Sequence, residues 1–148
     1  MYKLILFLLF FFLNLLFTQV VYSANLNIGP SKKNISVGEQ FYVDLLVDTE
    51  GESINLIKGN LSFQNDFVSL VRIEEGHSIV NLWIEKPYLD PNRSTVNFTG
   101  AITNGFNGLI DPFNPNYKMP GIVLRVVFEA QKHGKTNFST LPFHLNLN

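Results

Sequence analysis

Between Phe41 and Asp48 the chain alternates with a period of two. Phe41, Val43, Leu45 and Val47 interleave with Tyr42, Asp44, Leu46 and Asp48. Successive side chains of an extended strand point to opposite faces, so this pattern buries one face. The same signature returns along the chain. Leu26–Ile28 stops at Gly29-Pro30-Ser31, and Asn34–Glu39 is a turn leading into the strand at Phe41. Ile54–Phe63 sets Gly59, Leu61 and Phe63 against Lys58, Asn60 and Ser62, and Gly59 inside it signals close packing or a bulge. Phe67–Ile73 ends at Glu74-Glu75-Gly76, and Ser78–Glu85 carries the single tryptophan, Trp83, and stops before Pro87. Thr95–Ile102 sets Val96 and Phe98 against Asn97 and Thr99. In Ile122–Ala130, alternation turns Ile122, Leu124, Val126, Phe128 and Ala130 inward and Val123, Arg125, Val127 and Glu129 outward. Asn104–Pro120, with Gly105, Gly108 and three prolines, is expected to be a long loop, and His133-Gly134-Lys135 a turn into a last strand over Thr136–Leu147. No segment sustains a 3.6-residue apolar period, so helices should be few. Eight or nine one-face-buried strands pack as two antiparallel sheets, an all-β sandwich or jelly roll.

The first 23 residues are different in kind. Lys3 precedes a nearly unbroken Leu, Ile and Phe run from Leu4 to Phe17, and Val21 and Ser23 then suit positions −3 and −1 of a cleavage site. This is the layout of a secretory signal peptide, leaving a domain at 24–148 that begins with Ala24. The rival reading is an uncleaved anchor, since Leu4–Tyr22 is almost long enough to span a bilayer. Either way the domain is secreted or held at the cell surface, and any membrane contact is through an uncleaved leader. Without the leader the chain is mildly acidic and has no basic stripe, which removes the footprint of a nucleic-acid binder. With no cysteine there are no disulfides, thiolate metal sites or cysteine nucleophiles. A domain of about 120 residues can fold on its core alone.

Five blocks of the sequence, Ser36–Val43, Ile54–Phe63, Gly76–Ile79, Phe98–Ile102 and Gly121–Ala130, resemble in order and spacing those of cohesin domains. The similarity runs from Leu26 to the C-terminus. It implies a jelly-roll sandwich of about nine strands, related to bacterial carbohydrate-binding modules. It implies extracellular, non-catalytic docking as well: either a dockerin-like protein module or a polysaccharide, the latter with a link to polysaccharide catabolism. The chain stops at Leu145-Asn146-Leu147-Asn148, where members of the family continue, so a fragment is expected. These 148 residues show no dockerin module or enzyme, so a cellulosome setting is not expected.

Enzyme chemistry finds little footing. Asp44 and Asp48 share the polar face of one strand and Glu74-Glu75 sits in a turn, the places of solvated carboxylates and not of a glycosidase pair. His77, His133 and His144 lack metal-site spacing, and Ser78, next to His77, points to the opposite face. Asp111, Asn114 and Asn116 offer oxygen ligands, but Asx turns account for the same residues. No cofactor and no metal site are expected. The five Asn-x-Ser/Thr sites, at Asn34, Asn60, Asn92, Asn97 and Asn137, fit chance in an Asn-rich chain as well as they fit glycosylation.

Two binding surfaces stay open. A pyranose has an apolar face and polar edges, so Trp83, Tyr88, Tyr42 and Tyr117 are sugar-binding candidates, with core packing the competing role for Trp83. In the family resembled, docking uses a sheet face. The outward residues Lys58 and Asn60, Asn97 and Thr99, and the Val123, Arg125 and Val127 trio are then the candidates. An exposed aromatic row on one sheet would favour sugar, and a flat face of mixed character would favour a protein. A structural spacer with no ligand of its own is the alternative function.

Overall fold

The computed structural model describes residues 24–140 and 144–147. The leader at 1–23 lies outside them, so its reading stands as an expectation. The strands are β1 (Asn25–Pro30), β2 (Gln40–Asp48), β3 (Ile54–Ser62), β4 (Val68–Glu74), β5 (Leu82–Asp90), β6 (Thr95–Phe106), β7 (Leu109–Ile110), β8 (Lys118–Met119), β9 (Gly121–Ala130) and β10 (His144–Leu147). All pairings are antiparallel, and the described residues contain no helix. One sheet has the order β1-β2-β9-β4, the other β10-β3-β6-β5, and β7 and β8 form a separate ribbon. This is the expected all-β jelly-roll sandwich.

The two-residue period accounts for the core. Phe41, Val43 and Leu45 of β2 lie opposite Phe128, Val126 and Leu124 of β9. Across the sandwich they meet Ile57, Leu61, Val96 and Phe98 of the second sheet, all buried. Each such side chain contributes about 1.5–3 kcal/mol by leaving water. At one end Phe128 packs against Phe63, Phe138 and Phe41, with ring centroids 5.0, 5.1 and 5.9 Å away. The glycine in β3 marks close packing: a Cβ on Gly59 would sit 3.0 Å from Phe98 Cζ.

Four local expectations change. First, β5 starts at Leu82 and runs through Pro87 to Asp90. It is the sheet's edge strand, with register shifts on both sides of Glu85, and an edge tolerates a residue that cannot donate to a ladder. Second, Asn104–Pro120 is not one loop, because β6 continues to Phe106 and β7 and β8 make a hairpin. Third, the last strand begins at His144, while Thr136–Ser139 is irregular apart from a bridge between Ser139 and Ser62. Fourth, the phase of β9 is broken. Leu45 pairs with Leu124 but Leu46 pairs with Ile122, so Val123 is an inserted residue, and both Val123 and Leu124 are fully buried. The segment before β5 crosses over this bulge: Ile79 N–H donates to the Ile122 carbonyl at 2.9 Å, and Ser78 Oγ donates to that of Val123.

Candidate binding surface

The outward-facing candidates divide between the two sheets. Residues paired directly across antiparallel strands share a face, so the register of the second sheet builds its outer surface in rows. Lys58 of β3 lies beside Thr99 of β6, which lies beside Glu85 of β5. Asn60, Asn97 and Tyr88 form the next row, and Leu56, Ala101 and Leu82 a third. Five sequence candidates, Lys58, Asn60, Asn97, Thr99 and Tyr88, therefore come together on one face. Thr99 Oγ1 donates to Glu85 Oε2 at 3.2 Å, and Asn97 Nδ2 donates to Thr95 Oγ1 at 3.3 Å. Lys58 is exposed and enters no ion pair among the described residues. Sequence reasoning named Tyr88 but passed over its apolar neighbours. Leu82 is 54% exposed, Ile84 63% and Tyr88 46%, all on the edge strand. With Trp83 turned inward, alternation sets Leu82 and Ile84 outward, and the register shift after Glu85 brings Tyr88 to the same face.

Trp83 does not join this face. It pairs with Gly100 and turns inward, its ring edge-on to Phe98 with centroids 6.3 Å apart. A Cβ on Gly100 would lie 2.5 Å from Val80 Cγ1 and 3.0 Å from Trp83 Cζ3, so Gly100 makes the room that the indole occupies. The other aromatic candidates are dispersed: Tyr42 on the opposite sheet, Tyr88 on β5, and Tyr117 on the β7–β8 connection. They form no aromatic row.

The Val123, Arg125 and Val127 trio is not an exposed contact patch. Val123 is in the core. Val127 does lie on the outer face of the first sheet, but its register places it between Tyr42 and Arg72, and only 5% of it is exposed. Arg125 faces outward and is held within the sheet. Its Nε and Nη2 donate to Asp44 Oδ1 and Oδ2 at 2.6 and 2.8 Å, and its Cζ lies 3.7 Å from the Tyr42 ring centroid. The hydrogen bond to Asp44 raises the Arg125 pKa further above its ordinary value. A guanidinium already bound by two acceptors and stacked on a ring has little left to offer a partner.

Among the described residues no group of three or more His, Asp or Glu could hold a metal ion. Asp111 is used locally: its Oδ1 accepts the N–H of Phe113 at 2.8 Å, an Asx turn.

Solved structures similar to this chain are cohesin modules. The type I cohesin of a Clostridium thermocellum cohesin–dockerin complex superposes with a TM-score of 0.60 at 10% identity, covering 86% of both chains. The cohesin module of a Clostridium perfringens family 33 glycoside hydrolase gives 0.60 at 8% identity, covering 84% of this chain and 85% of that one. CaCohA2 from Clostridium acetobutylicum gives 0.55 at 15% identity, covering 81% and 75%. This chain has the cohesin fold. No family model matches the sequence, and no curated protein matches it. Identities this low are consistent with the cohesin-like blocks noted above, which are patterns of core residues and turns. Within the cohesin fold of this chain, the outer face of β3, β6 and β5 combines polar groups with exposed apolar ones.

Proposed function

We propose that this protein is an exported, non-catalytic docking module that binds a dockerin-like protein through the outer face of β3, β6 and β5. The observation that carries this reading is the row structure of that face. A flat surface with an apolar row, a charged and hydroxyl row and an amide–tyrosine row has the mixed character of a protein interface. It offers no stacked aromatic platform for a glycan. Cohesins of the same fold have been solved bound to dockerins, in Clostridium thermocellum and Acetivibrio cellulolyticus, which supports a partner of that kind.

The test is calorimetric titration with the dockerins of those complexes and with modules related to them. Lys58→Glu, Leu82→Asp and Tyr88→Ala are each expected to weaken binding at least about tenfold, as loss of a central contact does. Arg125→Ala is the control. It should lower stability by about 1 kcal/mol, through the lost ion pair and ring contact, and leave affinity unchanged. Binding that fails in Arg125→Ala but survives the three other variants would move the interface to the first sheet. Absence of binding to every dockerin by the folded protein would favour the spacer function.

Export is part of the proposal. Expressed with its own leader, the protein should lose its N-terminus next to Ser23 or Ala24. Recovery of intact Met1 on a membrane-bound product would show the leader to be an anchor.

A further inference from the structure

At the end of the sandwich away from the β9 bulge, a cleft of about 550 Å³ opens between three segments. Lys33, Asn34 and Ile35 come from the turn before β2, Phe67 and Val68 from the start of β4, and Lys132 and Gly134 to Asn137 from the chain leaving β9. The volume falls in the range of small-ligand sites. Its chemistry is one-sided. Lys33, Lys132 and Lys135 line it, no aspartate or glutamate does, and none of the three lysines forms an ion pair among the described residues. Glu39, in the neighbouring turn, is taken up by Lys32 and by the backbone N–H of Ser36, which hold its pKa below the usual carboxylate range. Phe41, Phe67 and Ala130 give the cleft apolar wall, and Asn34 and Asn137 supply amides that donate and accept.

We propose that this cleft binds an acidic sugar, a hexuronate unit of an anionic saccharide. The three ammonium groups select the carboxylate, the Asn34 and Asn137 amides meet the ring hydroxyls, and the Phe67 wall takes the apolar face of the pyranose. The site is separate from the docking face and does not depend on it.

The experiment is calorimetry on the protein produced from the full-length chain, with digalacturonate, the neutral digalactoside and inorganic phosphate as probes. Digalacturonate should bind, the neutral disaccharide should bind at least about tenfold more weakly, and phosphate should not compete. Lys132→Glu combined with Lys135→Glu should abolish the signal, whereas Lys58→Glu should not alter it. Equal binding of the neutral sugar, competition by phosphate at similar concentration, or unchanged affinity in the Lys132→Glu, Lys135→Glu double variant would each overturn the assignment.

Discussion

Phe128→Ala is expected to lower the unfolding free energy by about 4 kcal/mol, near the top of the range for large-to-small core changes. Phe128 is fully buried in the middle of β9, hydrogen-bonded to β2 on one side and β4 on the other. Its ring touches three other phenylalanines, so truncation leaves a void bounded by rigid rings that cannot readily collapse. Two of these, Phe63 and Phe138, come from segments outside the β2–β9 pair, so the cavity would also loosen the join between the two sheets. Urea unfolding of wild type and variant, followed by tryptophan fluorescence, measures the change. A loss below about 1 kcal/mol would mean that the ring cluster is not a packed core.

Val123→Asp should be at least as damaging, with a loss above about 4 kcal/mol and a largely unfolded or insoluble product. Taken as a regular strand, β9 would put this side chain on the surface, where an aspartate costs little. The bulge opposite Leu45 and Leu46 puts it in the core instead, away from any cation that could pair with a carboxylate. Val127→Asp is the informative comparison. That position is also well covered, but it lies on the outer face beside Arg72, and Arg125 lines the same shallow concavity. A carboxylate there lies next to water and to two guanidiniums, paired with Glu74 and Asp44 but still offsetting part of its charge, so a smaller loss of about 2 kcal/mol is expected. Circular dichroism melts of the two variants separate the cases. Equal stability would mean that β9 runs without a bulge and that Val123 faces solvent.

Alternation was enough to find the buried faces of β2, of β6 up to Ile102, and of most of β3. There the extra residues of the shifted ladders lie in the partner strand or beyond Ile102, so each side chain's face follows from its parity alone. It also placed Lys58, Asn60, Asn97 and Thr99 outward correctly, and these four pair into one patch. Gly59 announced its close approach to Phe98, whose ring an added Cβ would crowd. The turn residues Gly38 and Gly51 marked the limits of β2 for a different reason, a positive φ that glycine adopts without strain.

What parity could not supply was anything set by a neighbouring strand. The bulge that buries Val123 is a mismatch of count between β2 and β9, invisible in either strand read alone. Val127 is covered by the side chains of Tyr42 and Arg72, and the Arg125–Asp44 pair joins residues 81 positions apart. Pro87 argued for the end of β5 because a proline breaks a ladder, but only the sheet order shows that β5 is an edge where that cost vanishes. The lysine cleft likewise gathers three stretches of chain that have nothing in common until the sandwich closes. Composition and period thus determined an all-β sandwich and which residues could face outward. The tertiary pairing decided which of them meet, because contact across strands depends on register, and register is a property of two segments and never of one.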